Sequence, residues 1–284
     1  MFLFLLPMIS WISSIHSQTS ASVRDMSART LVWSDEFNEE GIPDSLIWNH
    51  ERGFVRNHED QWYQQENAFQ ERGCLVIEAR REHRDNPTYN SSSRHWGGRR
   101  PFIDYTSSCL TTAGKKSFLY GTLEVRAKIP VSGGCWPAIW TLGSGMEWPS
   151  CGEIDVMEYY RINEVPHILA NAAWGCDEHY KAVWDSHRIP YAHFLENDPL
   201  WAEKFHVWKM DWTPEHIRIY LDDELLNDID LSKTVNGKIG NFDNPFHHPH
   251  YILLNLALGG DNGGEIDDTV FPLRYEIDYV RIYQ

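Results

Sequence analysis

Cysteine is scarce and poorly placed for cross-linking. Cys74, Cys109, Cys135, Cys151 and Cys176 are odd in number and contain no Cys-x-x-Cys pair, so neither a zinc-type site nor a disulfide framework is expected. Cys135 and Cys151 flank one segment and are the pair that an exported protein could oxidise. The reading adopted is five buried or partly buried thiols. Positive charge is short too. Twenty-five Lys and Arg stand against 41 Asp and Glu, a formal net charge of −16, which repels nucleic acid and anionic membranes and favours a neutral partner. The Arg94, Arg99 and Arg100 cluster, and Arg52 with Arg56, are local exceptions. The run Phe2 to Ile15 is apolar and of signal-peptide length, with Ser17 offering a cleavage point before Gln18. A signal peptide over 1–17, a short segment 18–30 and a secreted or periplasmic location follow as expectations. The run is too short and interrupted for stable membrane insertion, and no Cys follows it to carry a lipid. Repeats, heptads and Pro/Ser/Gly linkers are missing, so 31–284 is read as one domain, and as a monomer.

Aromatic residues are abundant: thirteen Trp, thirteen Tyr and twelve Phe. That exceeds the ordinary needs of one core and points to aromatic surface presented to a ligand. From Leu31 onward, short alternating or apolar runs recur between turn residues, as in 74–79, 121–127 and 251–257, which favours antiparallel strands over helices. Residues 206–212 and 217–221, joined by Thr213-Pro214-Glu215, read as a hairpin. The fold class expected is all-β, a two-sheet β-sandwich. Polar stretches 84–104 and 185–199 are read as long loops.

One hexapeptide concentrates the chemistry. Glu153-Ile154-Asp155-Val156-Met157-Glu158 sets three carboxylates in strand-like apolar company. In a regular strand Glu153 and Asp155 share a face while Glu158 points away. A one-residue bulge between Asp155 and Glu158 would bring all three together, and bulges re-aim side chains beside active sites. Three like charges require a solvated cleft rather than a core. Two glutamates on one face supply the acid and the nucleophile or base of glycosidic cleavage. The roles expected are Glu153 nucleophile, Glu158 acid/base and Asp155 support, with the carboxyls roughly 5–5.5 Å apart as retention requires. Upstream stand Trp136, Trp140 and Trp148, whose flat indole faces suit the C–H faces of pyranose rings.

The chain resembles the retaining glycoside hydrolase family sixteen, which holds laminarinases, lichenases, agarases, porphyranases and carrageenases. The resemblance rests on the hexapeptide with Gly152 before it, on Trp33-Ser34-Asp35-Glu36-Phe37, Glu66-Asn67-Ala68-Phe69, Tyr105-Thr106-Ser107-Ser108, Tyr120-Gly121, Trp136-Pro137-Ala138-Ile139-Trp140, Asn255-Leu256-Ala257-Leu258-Gly259-Gly260 and Asp278-Tyr279-Val280-Arg281. It implies a catalytic β-jelly roll with an open concave cleft, the three carboxylate roles above, and sugar stacking on Trp136, Trp140 and Trp148. Arg56 and Asn57 are taken as further substrate contacts. It also implies a structural calcium held by Glu36, Asp278 and the carbonyl of Gly73, two carboxylates and a carbonyl suiting a hard cation; no cofactor is needed for catalysis.

Within the family the chain most resembles enzymes that cut internal β-1,3 or mixed β-1,3/1,4 glucan bonds, so a β-glucan polysaccharide is the expected partner. Laminarinases often carry His-Gly-Thr-x-His where this chain has Leu169-Ala170-Asn171-Ala172-Ala173-Trp174, and Trp174 is expected to stack in the cleft. Arginine forks from the 94–100 loop would instead suit a sulfated galactan. A non-catalytic glucan-binding module is the reading from another class, and an intact Glu153 and Glu158 pair argues against it.

Overall fold

A computed structural model describes residues 29–284; the expected signal peptide and most of the 18–30 segment lie outside the described residues. Among the described residues seventeen strands and two short α-helices follow in order. The first six strands are β1 (Leu31–Asp35), β2 (Asn49–His50), β3 (Gln61–Tyr63), β4 (Ala68–Glu71), β5 (Cys74–Asp85) and β6 (Phe102–Ser107). Next come β7 (Cys109–Thr111), β8 (Gly121–Lys128), β9 (Cys135–Gly143), β10 (Glu153–Ile162), β11 (Val165–Gly175) and β12 (Ala182–Pro190). After α1 (Ala192–Asn197) come β13 (His206–Trp212), β14 (His216–Leu221), β15 (Glu224–Asp230) and β16 (His250–Leu258). Helix α2 (Gly260–Gly263) and β17 (Leu273–Tyr283) close the chain.

The strands form two sheets, as expected. Seven run in the order β12-β11-β10-β9-β16-β7-β2; the other ten are built on β15-β14-β13-β8-β17-β5-β6-β3, with β1 on β17 and β4 on β5. All pairings are antiparallel except β3 with β6. The hairpin expected over 206–221 is present as β13 and β14, with Met210 opposite Ile219.

Alternation explains how the two sheets meet. In β11, Ile168, Ala170, Ala172 and Trp174 enter the core between the sheets, leaving Leu169, Asn171 and Ala173 on the outer face. Trp208 and Trp212 of β13 and Tyr275 of β17 fill the same core from the other sheet and are fully buried. A smaller cluster, Tyr63, Cys109, Ala138, Trp140 and Leu253, lies on the outer face of the seven-stranded sheet. The segment between β2 and β3 supplies Val55 to this cluster, covering the β16 and β7 end of that face.

Two expectations change. The 185–199 stretch is no loop: it is edge strand β12 followed by α1. An edge strand pairs on one side only and tolerates polar residues, which is why its composition resembled a loop. The 84–104 loop is shorter, because β5 runs to Asp85 and β6 begins at Phe102. Asn86 staples what remains, donating to the carbonyls of Gly97 at 3.0 Å and Arg100 at 2.7 Å. As expected, all five cysteines are free thiols, buried or partly buried. Cys135 starts β9 and Cys151 lies beside its other end, at Gly143. Eight residue steps at about 3.3 Å each separate those ends, far beyond disulfide reach.

Candidate active site

The bulge is where the sequence requires it. Across β10 and β11 the register runs Asp155 to Asn171 and then Glu158 to Leu169, a slip of one residue; against β9 the slip falls between Asp155 and Met157. Glu153, Asp155 and Glu158 therefore line one cleft, while Ile154, Val156, Met157 and Tyr159 remain in the core. Gly152 introduces the strand with φ +80°, and a Cβ there would come within 2.8 Å of Pro245, so glycine alone permits this approach.

Each glutamate has its own indole donor. Trp148 Nε1 donates to Glu153 Oε2 at 2.8 Å, and Trp136 Nε1 donates to Glu158 Oε1 at 2.8 Å. Asn171 Nδ2 donates to Glu158 Oε2 at 2.9 Å and to Asp155 Oδ2 at 3.2 Å. The amide therefore turns its nitrogen toward the acids, since its oxygen would repel them.

Burial and mutual repulsion push all three acids upward. Glu153 rises from 4.5 to about 7, first through burial and then through the charge of Glu158, against the Trp148 donor and the Arg56 charge. Glu158 rises to about 7, chiefly through burial, against the Trp136 and Asn171 donors. Asp155 is held well above its ordinary range by burial and both glutamates. Such a trio shares protons, so near neutral pH it holds fewer than three charges. A carboxylic acid able to donate and a carboxylate able to attack can then coexist.

The expected aromatic contacts divide. Trp136 and Trp140 line the cleft, yet they are only 6% and 9% exposed. Trp136 meets Tyr160 edge-on at 5.4 Å, and the Arg56 guanidinium lies over Trp140 at 5.2 Å. Trp148 is open, at 38% exposure. Trp174 does not belong to the cleft: alternation along β11 turns it into the core, where it meets Phe246 edge-on at 6.4 Å. Arg56 and Asn57 both reach the lining, but Arg56 is paired with Glu51 and Asn57 donates to Glu59 at 3.2 Å. Glu59, a fourth cleft carboxylate, is 2% exposed and accepts from Gln61 at 2.6 Å.

Sequence reasoning missed the β12 face. Trp184, Ser186 and Arg188 line the cleft at alternate positions, and their period of two was the available signal. Asn171 was missed as a partner of the acids for want of the partner strand's register.

The residues expected to hold calcium do not fit that ion as arranged. Arg281 grips Glu36 with two bonds, at 2.9 and 2.7 Å, and Arg126 occupies the Asp278 carboxylate. Gly73 forms the turn between β4 and β5, at φ +75°. Among the described residues no group of three or more His, Cys, Asp or Glu is placed to hold a metal. Of the arginines read as a possible sulfate fork, Arg100 pairs with Asp60 at 2.7 Å and lies over Phe54 at 4.8 Å, Arg94 and Arg99 are exposed, and none of the three lines the cleft.

With this geometry in place, comparison with known proteins is decisive. The profile of glycosyl hydrolases family 16 matches residues 55–281. The chain belongs to glycosyl hydrolases family 16. A β-glucanase of Rhodothermus marinus is 35% identical over 89% of this chain and 85% of its own length. LamA of Zobellia galactanivorans, solved as a variant with laminaritriose and laminaritetraose, is 34% identical, covers 90% of this chain and 99% of its own, and superposes with a TM-score of 0.70. A structure from work on endo-acting O-glycanases that initiate mucin breakdown, expressed by members of the human gut microbiota, is 35% identical and superposes at 0.79, covering 90% of this chain and 91% of its own. The family 16 chain is thus a β-jelly roll and an endo-acting glycoside hydrolase of the endo-1,3(4)-glucanase-like kind.

Proposed function

We propose that this hydrolase cuts internal β-1,3 or mixed β-1,3/1,4 bonds of a glucan with retention of configuration, Glu153 acting as nucleophile and Glu158 as acid/base. One observation carries the reading: the bulge in β10 turns Glu158 onto the face of Glu153, with Asp155 between them. In the first step a Glu153 oxygen bonds to the anomeric carbon as the bond to the leaving sugar breaks, and the Glu158 proton passes to the departing oxygen. In the second, Glu158 takes a proton from water, whose oxygen attacks the same carbon and releases Glu153. The raised pKa of Glu158 keeps its proton available near neutrality.

The glucan assignment draws on the Rhodothermus β-glucanase and on the laminarin oligosaccharides bound by LamA. It also agrees with the net charge of −16. A secreted or periplasmic monomer whose partner is this polymer completes the proposal. A second reading, endo-cleavage of mucin O-glycans, is favoured by the closer superposition of the O-glycanase structure, 0.79 against 0.70 at nearly equal identity, and the neutral or sulfated galactan alternative goes to the same test. A substrate panel separates the two: laminarin, barley mixed-linkage glucan, agarose, porphyran, carrageenan and mucin, with product sizes read out and anomeric configuration followed by NMR. Activity confined to mucin or galactans would replace the glucan reading, and initial release of the inverted anomer would end the double displacement.

A further inference from the structure

Strand β12 repeats, two strands away, the row of acids on β10. Glu153 pairs with Ala173 and that with Trp184; Asp155 pairs with Asn171 and that with Ser186; Glu158 pairs with Leu169 and that with Arg188. Two strand spacings are about 9–10 Å, so these side chains lie beyond the sugar whose bond is cut. The opposite end of the sheet is covered by the segment before β3, with Tyr63, Cys109 and Leu253 buried beneath it. The cleft is therefore open toward β12.

Two features of this row are unspent. Trp184 is 44% exposed, more than any other described tryptophan in the cleft. Arg188 is exposed and makes no ion pair or side-chain hydrogen bond with a described residue, whereas the other cleft arginine, Arg56, is paired with Glu51. In a chain with 41 acidic residues, an unpartnered guanidinium facing a sugar cleft is a five-donor fork awaiting acceptors.

We propose that Trp184, Ser186 and Arg188 form a distal subsite that holds a pyranose by its flat face on Trp184 and by two adjacent oxygens on Arg188. This rests on the endo-glycosidase reading and extends it to substrate selection. The paired oxygens come either from vicinal hydroxyls of a neutral sugar or from a sulfate ester, and the guanidinium fork fits both.

The test uses the whole protein with Trp184→Ala, Arg188→Ala and Arg188→Lys, each checked for an unchanged melting temperature. kcat/KM is measured on laminari-oligosaccharides of increasing length, and on fragments of a sulfated galactan before and after desulfation. The quantity read is the ratio of kcat/KM for the longest to the shortest fragment cleaved. That ratio should fall tenfold or more in both alanine variants, with product sizes shifting. Retention by Arg188→Lys on the sulfated fragments only, with loss at high salt, identifies sulfate; equal loss in Arg188→Lys and Arg188→Ala on neutral fragments, independent of salt, identifies hydroxyls. An unchanged ratio in both alanine variants overturns the subsite, whether overall activity falls or holds. Wild-type protein that cuts none of the polymers internally would instead sink the reading beneath it. Should Trp184→Ala fail to fold, Trp184→Leu and the Arg188 pair report the same ratio.

Discussion

Asn171 Nδ2 donates to Glu158 Oε2 at 2.9 Å from the neighbouring strand, a contact made possible because the bulge in β10 falls between Asp155 and Glu158. The same amide reaches Asp155 at 3.2 Å, so one side chain stabilises the charged forms of two of the three acids. Removing it shifts protons rather than mass.

Asn171→Ala should therefore raise the pKa values of Glu158 and Asp155 further, since the Asn171 bond lowers both. The alkaline limb of the kcat/KM profile, where the acid loses its proton, should move to higher pH, with kcat falling about 10-fold or more as the carboxyl loses its fixed orientation. A profile unmoved on its alkaline side would show that Asn171 does not tune the acid.

Glu153→Gln and Glu158→Gln should each lower cleavage of the polymer by about 10²–10⁴-fold or more. They should part company on aryl glycosides with good leaving groups. Those substrates need little protonation, so Glu158→Gln should retain glycosylation there while Glu153→Gln does not. Equal losses on both substrate types would contradict the assigned roles.

Stability should fall as pH rises through the acids' own window. Below about 4.5 the glutamates are protonated in both folded and unfolded chains; between 4.5 and about 7 the unfolded chain releases protons that the fold still holds. The unfolded state then binds fewer protons, and unfolding becomes easier with each step in pH until about 7. The double variant Glu153→Gln/Glu158→Gln should be more stable than wild type by ~2–4 kcal/mol at pH 8. The gap should close near pH 4. Urea unfolding across pH measures it, and a gap independent of pH would refute the linkage.

Chelation with EDTA should leave the melting temperature and activity unchanged, because Glu36 and Asp278 are already engaged by Arg281 and Arg126. Glu36→Ala should cost about 1 kcal/mol or less, the worth of a half-exposed ion pair. A melting temperature that drops on chelation and recovers with calcium would show that the guanidinium pairs give way to the ion.

Much of this molecule was legible in its sequence because local periodicity carries physical meaning. Three acids at offsets of two and three in an apolar strand have a single economical solution, a bulge, since burying Glu158 among Ile154, Met157 and Tyr159 would strand a charge in the core. The two-sheet sandwich, the hairpin and the grouping of the three carboxylates follow from such rules. What the chain alone left open depends on partners distant along it. Trp174 and Trp184 are equally aromatic and both lie in strands, yet pairing of Ala173 with Trp184 sends one to the core and the other to the cleft. Arg281 took the carboxylate of Glu36, 245 residues away, and Asn171 found Glu158 across a register that no single strand encodes. Side-chain period is local, but register and charge pairing are settled only when strands meet.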